Sequence, residues 1–287
     1  MRRGRSSRTA TWVAVWRGLG AFDLPAVATD PHAHALVPPL YRGLLDAAAR
    51  MPRATRAAVR AAVVLSGGMA RHLPFRTRAI DDLVTEELAR GTAQLVLLGA
   101  GLDARAHRLP GLEHTRIFEV DHPATQAVKR AAAASLSTSA GGVVYVAVDF
   151  ATDDLVEALS AAGFERARPC VIVWEGVTMY LSRAAIDATL TALAALASPG
   201  SVLVTTYLTA PGPVFAMLGA LASPFFVGIG EPLETRLAPA AAAALVAGHG
   251  FEPETDEGDT DWSVRWVGQR TRVVLPERLL AARRRAT

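Results

Sequence analysis

The sequence predicts an α/β protein, an open and mostly parallel sheet preceded by a helical extension. Three observations carry that prediction. From Leu95 onward, short apolar runs alternate with helical ones, as in repeated strand-helix-strand units. Residues 1–92 read mainly as helix, rich in alanine and punctuated by Pro38, Pro39, Pro52 and Pro74. At the junction, the run Leu95 to Leu98 enters a glycine turn, Gly99-Ala100-Gly101, before a second apolar run ends in Glu119 and Asp121.

In chain order, the first helices are expected around Trp12 to Leu19, Leu40 to Ala49, Ala54 to Met69 and Ala79 to Arg90. The strands follow at Leu95 to Leu98, Arg116 to Val120, Val143 to Val148, Cys170 to Trp174 and Ser201 to Leu208. Their near-continuous apolarity fits strands covered on both faces. Between them lie helices near Pro123 to Ala134, Asp153 to Ala162 and Arg183 to Ala197, the last with Ser182 as its N-cap and Pro199-Gly200 as its stop. A further helix, Ala238 to His249, ends at Gly250. After it the sequence reads as an acidic loop, Glu252 to Asp261, and two strand candidates, Ser263 to Val267 and Arg278 to Ala282. Residues 208–236, with Phe215, Met217, Phe225 and Phe226, have no place in this alternation and are expected to form a lid insertion.

Composition excludes several classes. With 51% hydrophobic residues over 287 positions the chain can bury a large core. Its net charge is only +3, and Lys129 is the sole lysine, so the basic pI reads as arginine-rich composition and no nucleic-acid partner is expected. The single Cys170 excludes an internal disulfide and a cysteine-rich zinc site; a buried, inert thiol is expected, and no metal. Residues 188–230 carry no charge, but Pro199, Pro211, Pro213 and Pro224 break the stretch too often for a membrane span. With no cleavable leader pattern, a cytoplasmic location is expected.

The glycine turn and its acids point to an adenosine-containing cofactor. Gly99 and Gly101 lack side chains that would block a close ligand, and Asp121, twenty residues after Gly101, is placed to accept ribose hydroxyls. The turn also satisfies the G-x-G-x-x-A form of the dinucleotide fingerprint, so an NAD(P)-dependent oxidoreductase is the alternative. Asp103 opposes it, because a carboxylate in the first turn of the next helix would repel a pyrophosphate. S-adenosylmethionine carries no phosphate. Asp149 and Glu175 follow the next two strands, and with Asp121 they place three acids at consecutive strand ends, on the side where such sheets bind ligands.

The segments LLGAGLDARAHRL, FEVDHP, WEGVTMYL, GEPLETRLAPAAAAALVAGHGFE and ERLLAARR resemble the bacterial branch of the leucine carboxyl methyltransferase family, class I S-adenosylmethionine-dependent O-methyltransferases. The likeness runs from about Arg76 to the C-terminus. It implies a Rossmann-like, seven-stranded, mostly parallel sheet with an antiparallel last strand, residues 93–287 as the core, and the N-terminal extension helping to close the site. By the same resemblance Gly99 lies near the cofactor, Asp121 binds the ribose, and Asp149 with the backbone of Phe150 reads adenine. Glu175 is the acid of the E-x-x-x-x-Y-L motif, and Arg76 binds the cofactor's carboxylate through its fork, with Arg78 as the fallback in register. Arg17 is the candidate for a second basic contact there. The expected acceptor is a small apolar molecule, most simply a carboxylate, which needs no general base and suits a tailoring step in secondary metabolism. A hydroxyl acceptor would need a base, for which Tyr180, His122 and His249 are candidates; His122 and His249 also read as structural.

Overall fold

A computed structural model describes residues 8–20, 22, 27–65, 69–150, 152–210, 212, 233–271 and 274–286. Helices α1 (Arg8–Gly20), α2 (Ala33–Leu36), α3 (Pro39–Arg50), α4 (Pro52–Leu65) and α5 (His72–Ala89) come first. Helix α5 begins seven residues earlier than the periodicity suggested. Pro74 sits in its first turn, where a proline removes an N–H that had no helical partner, so it does not break the helix.

The sheet then forms from β1 (Gln94–Leu98), β2 (Arg116–Asp121), β3 (Gly142–Ala147), β4 (Val171–Trp174), β5 (Val202–Leu208), β6 (Phe251–Glu257) and β7 (Glu277–Arg284). Their order across the sheet is β3-β2-β1-β4-β5-β7-β6. Strands β1 to β5 pair in parallel, whereas β7 runs antiparallel to both β5 and β6. The seven-stranded sheet with its reversed last strand is therefore as the resemblance implied. Helices α6 (Arg105–Arg108), α7 (Pro123–Ala133), α8 (Leu155–Ala161), α9 (Arg183–Leu196), α10 (Pro239–Gly248) and α11 (Asp259–Val267) connect the strands. Ser182 Oγ caps α9 by accepting the Ala185 N–H at 3.2 Å, and Gly250 follows α10 at φ +81°.

Two expectations at the C-terminal end fail. The acidic stretch expected as a loop is strand β6, held by pairing to β7 and not by an apolar face; of its residues only Phe251 is buried. It is an edge strand with a register shift between Pro253 and Thr255, where the missing proline N–H does no harm. Ser263 to Val267, expected as a strand, belongs to α11. There Asp261 caps the Gly258 N–H at 2.9 Å, Trp262 is fully buried, and Gly268 ends the helix in the left-handed region.

Apolar side chains cover both faces of the sheet, one around Phe118, Trp174 and Leu193, the other around Phe75, Ile80 and Trp262. A third cluster ties Ala14, Val15, Leu36 and Leu45 of the first helices to Leu102, Ala104 and Ala133 beside the glycine turn. Cys170 is buried, and burial pushes its thiol up to about 11. Among the described residues no helix is long and apolar enough to cross a membrane. Most of the expected lid, residues 211 and 213–232, lies outside the described residues. The stretch after it returns to the body through the Glu234 N–H, which donates to the Met179 carbonyl at 2.8 Å.

Candidate functional site

The sheet order reverses between β1 and β4, since β2 and β3 extend to one side of β1 and β4 lies on the other. The connections after these two strands part there and leave a crevice. A cavity of about 400 Å³ occupies it, large enough for a cofactor-sized molecule. Gly99, Gly101, Asp121, Asp149, Phe150, Glu175, Arg76, Tyr180, Arg17 and His122 all line it, together with Asp103 and Glu234. Two candidates lie elsewhere. Arg78 is half exposed and pairs with Asp82 at 3.0 Å, while His249 Nδ1 faces the Leu245 carbonyl at 2.9 Å.

The glycine turn needs its glycines. Gly99 has φ +64°, and a Cβ there would lie 2.5 Å from Val177 Cγ2. Gly101 has φ +48°, with Ala10 of α1 at 3.2 Å from any added Cβ. The turn is thus closed from above by the N-terminal helix and from the side by the loop after β4.

At the end of β2, Asp121 is anchored by backbone alone. Its Oδ2 accepts the Gly101 N–H and its Oδ1 accepts the His122 N–H, at 2.5 and 2.6 Å. Burial raises its pKa, and these two N–H groups oppose the rise. His122 serves as the N-cap of α7, with Nδ1 accepting the Ala124 N–H at 3.2 Å, and its Nε2 stands 3.8 Å from Asp149 Oδ2. Beyond β3, the Asp149 side chain is 38% exposed, and its backbone N–H donates to Asp153 Oδ2 at 2.8 Å.

The wall beneath Glu175 is built from buried ion pairs. Arg76 Nε donates to Glu175 Oε1 at 2.9 Å, and its Nη1 donates to both oxygens of Glu277 at 2.8 and 2.9 Å. Nη2 also faces Glu175. All three guanidinium nitrogens therefore meet protein carboxylates, and the open fork expected of Arg76 is already engaged. The other Glu175 oxygen accepts from Arg105 Nη1 at 2.8 Å. Arg105, wholly buried, also pairs with Asp103 and with Asp81, which Arg108 holds from the far side at 2.6 Å. Burial favours the neutral acid in both, but Arg105 above all holds Asp103 well below the usual carboxylate range, and Arg105 with Arg76 holds Glu175 down.

This corrects the role given to Asp103. Its charge is compensated by Arg105 and does not project as a bare anion toward the turn. What disfavours a pyrophosphate is different: the Gly101 N–H is already taken by Asp121, and α6 is a single turn of four residues with little dipole to offer.

Behind Arg76 the chain of charges continues. His72 lies between Asp259 and Glu277, each 2.7 Å from one ring nitrogen. Burial would lower its pKa, but the two carboxylates outweigh burial and raise it to about 9, which makes it an imidazolium. Glu277, opposed by burial but flanked by Arg76 and His72, falls to about 2. None of His72, Arg105, Asp81 or Glu277 stood out in the sequence. Arg105 sits inside LDARAHRL, two residues after the aspartate that did.

Arg17 of α1 reaches the cavity from above, buried, with Nε 3.1 Å from Asp30 Oδ2 and Nη2 on the Leu102 carbonyl. A family profile described as leucine carboxyl methyltransferase matches residues 10–194. The chain belongs to the leucine carboxyl methyltransferase family. The match to that family starts in α1, well before Arg76, and so includes the helix that closes the glycine turn.

Similar proteins agree with that membership. A protein of Mycobacteroides abscessus, assigned as an S-adenosyl-L-methionine-dependent methyltransferase, is 32% identical over 262 residues, 89% of this chain and 81% of its own length. One from Mycolicibacterium gilvum with the same assignment is 35% identical over 211 residues, 72% of this chain. The match spans 66% of that relative's length, just under two thirds. Among solved structures, a DUF574 family protein from Streptomyces avermitilis superposes with TM-score 0.63 at 14% identity, over 98% of both chains. A protein from Thermobifida fusca assigned as a methyltransferase gives 0.59 at 17%, over 99% of this chain and 97% of that one. These two likenesses show the fold.

Proposed function

We propose that the chain is an S-adenosylmethionine-dependent methyltransferase that acts on an oxygen, a carboxylate of a small apolar metabolite, as a tailoring step in secondary metabolism. One observation carries the reading: a single cavity at the sheet's switch point gathers a side-chain-free turn and the acids following β2, β3 and β4. The donor set fits the cofactor. Asp121 faces the ribose hydroxyls with both oxygens already aligned by backbone, Asp149 and the Phe150 backbone face adenine, and Glu175 faces the ammonium group. Glu175 would share with that ammonium group the oxygens that Arg76 and Arg105 already hold. Arg76 and Arg17 are left for the cofactor's carboxylate, as a partner added to those they already hold.

When bound, S-adenosylmethionine supplies a methyl group whose carbon–sulfur electron pair leaves with sulfur as the acceptor oxygen takes the carbon. A carboxylate acceptor is already an anion, so no proton has to move. The chain's part is proximity, in-line alignment and exclusion of water, for which Val13, Val177 and Leu181 give the cavity apolar walls. Tyr180 at the cavity wall is assigned to packing against the acceptor. A nicotinamide dinucleotide finds no pyrophosphate cradle in this turn.

Calorimetric titration with S-adenosylmethionine tests the reading. We expect saturable binding by the native chain and, since Asp121→Ala deletes both ribose contacts, a loss on the order of 100-fold, about 2.7 kcal/mol. Unchanged affinity in Asp121→Ala would sink the site; tight binding of NAD or NADP with none of S-adenosylmethionine would replace the reaction.

A further inference from the structure

Helix α4 exposes an apolar face to water. Ala54, Ala57, Ala58, Ala61 and Leu65 recur at the three- and four-residue spacing that puts side chains on one side of a helix, and all are exposed. Val64 beside them is 70% exposed and Leu65 87%. The opposite side, Val59 and Val63, is the one buried against the body. An outward face of a surface helix ordinarily carries polar residues, and this one carries none.

One edge of that face is a stripe of arginines. Arg53, Arg56 and Arg60 are exposed, and among the described residues none of them pairs with a carboxylate. Acid is absent from the neighbourhood in the sequence too: between Asp46 and Asp81 there is no Asp or Glu and there are seven arginines. The preceding α3, packed against α4, adds Leu40 and Leu44, 81% and 51% exposed. Through Leu45, whose methyl carbons approach Gly18, α3 rests on α1, the helix whose Ala10, Val13 and Arg17 wall the cavity.

We propose that the α3–α4 hairpin is a peripheral docking surface for an anionic lipid bilayer. Charge complementarity selects this occupant. A second copy placed on the same patch would set arginine against arginine with no acid of the patch to answer it. A nucleic acid would meet the arginines but leave Val64 and Leu65 without a partner. A bilayer surface satisfies both, its anionic headgroups meeting the arginine edge and its interfacial region accepting the apolar face without a spanning helix. The inference stands whether or not the cavity takes S-adenosylmethionine.

Co-sedimentation of the full chain with vesicles of phosphatidylglycerol, compared with phosphatidylcholine alone, tests it. We expect binding to the anionic vesicles that weakens with added salt. Arg53→Gln/Arg56→Gln/Arg60→Gln together should weaken it about 100-fold, and Val64→Gln/Leu65→Gln should weaken it at low salt as well. Thermal melts of both variants, altered only at exposed positions, should match the native chain. Absence of anionic-vesicle binding, or binding indifferent to both variants, overturns the proposal. So does self-association that Val64→Gln/Leu65→Gln abolishes while vesicle binding stays unchanged, or duplex DNA binding that competes at equal strength.

Discussion

The two ends of the cavity are built by different physics. At one end the Asp121 carboxylate is set by backbone groups close in sequence, Gly101 twenty residues away and His122 adjacent, and the Asp149 side chain beyond it is 38% exposed. Around Glu175 the wall consists of side-chain ion pairs between residues 70, 99 and 201 positions apart. The first end can change charge at little cost to the fold, whereas the second is part of what holds the fold together. A buried pair in which one partner is lost leaves a charge with neither water nor counter-ion.

The largest effect should therefore come from Arg105→Leu. It removes the cation shared by Asp81, Asp103 and Glu175, all buried or nearly so. We expect a loss of about 3–5 kcal/mol in urea denaturation, against a change within about 0.5 kcal/mol for Asp149→Ala at the other end. Equal losses at both ends would erase the distinction.

The next effect is one of pH. The folded value of His72, about 9, lies above its ordinary 6.5, since Asp259 and Glu277 outweigh burial. Its stabilisation is complete below about pH 6.5 and is lost as pH rises through 9. The amount is up to about 3 kcal/mol. Denaturation midpoints should fall across that window in the native chain and stay flatter in His72→Gln. An identical slope in both would show that the imidazolium does not anchor Glu277 and, through it, Arg76.

Legibility in the sequence follows the same divide. Strands β1 to β5 announce themselves because burial on both faces demands continuous apolar runs, and the glycine turn because positive φ at Gly99 and Gly101 demands glycine. Strand β6 does not, because an edge strand satisfied by hydrogen bonds to β7 needs no apolar side and its acids are free to face water or arginine. Helix α11 was masked by its two tryptophans and valines, apolar at a spacing short enough to pass for a strand. At the site, each acid at a strand end was readable from its position alone. The partners of Glu175 were not, since nothing local links Arg76 to Glu277 or His72 to Asp259 across roughly 200 residues; only the closing of β7 against β5 brings them together.

The smallest expected effect is the most diagnostic of the open end. His122 Nε2 stands 3.8 Å from Asp149, beyond a direct hydrogen bond, and the Asp149 carboxylate is partly exposed at the cavity wall. If it receives an amino group of adenine, what matters is an acceptor oxygen and not a charge. Asp149→Asn keeps such an oxygen and should lower S-adenosylmethionine affinity by less than about threefold, whereas Asp149→Ala should lower it about tenfold, some 1.4 kcal/mol. Were Asn as damaging as Ala, the carboxylate would be acting through its charge, and the open end would resemble the ion-paired wall beneath Glu175 more than its geometry indicates.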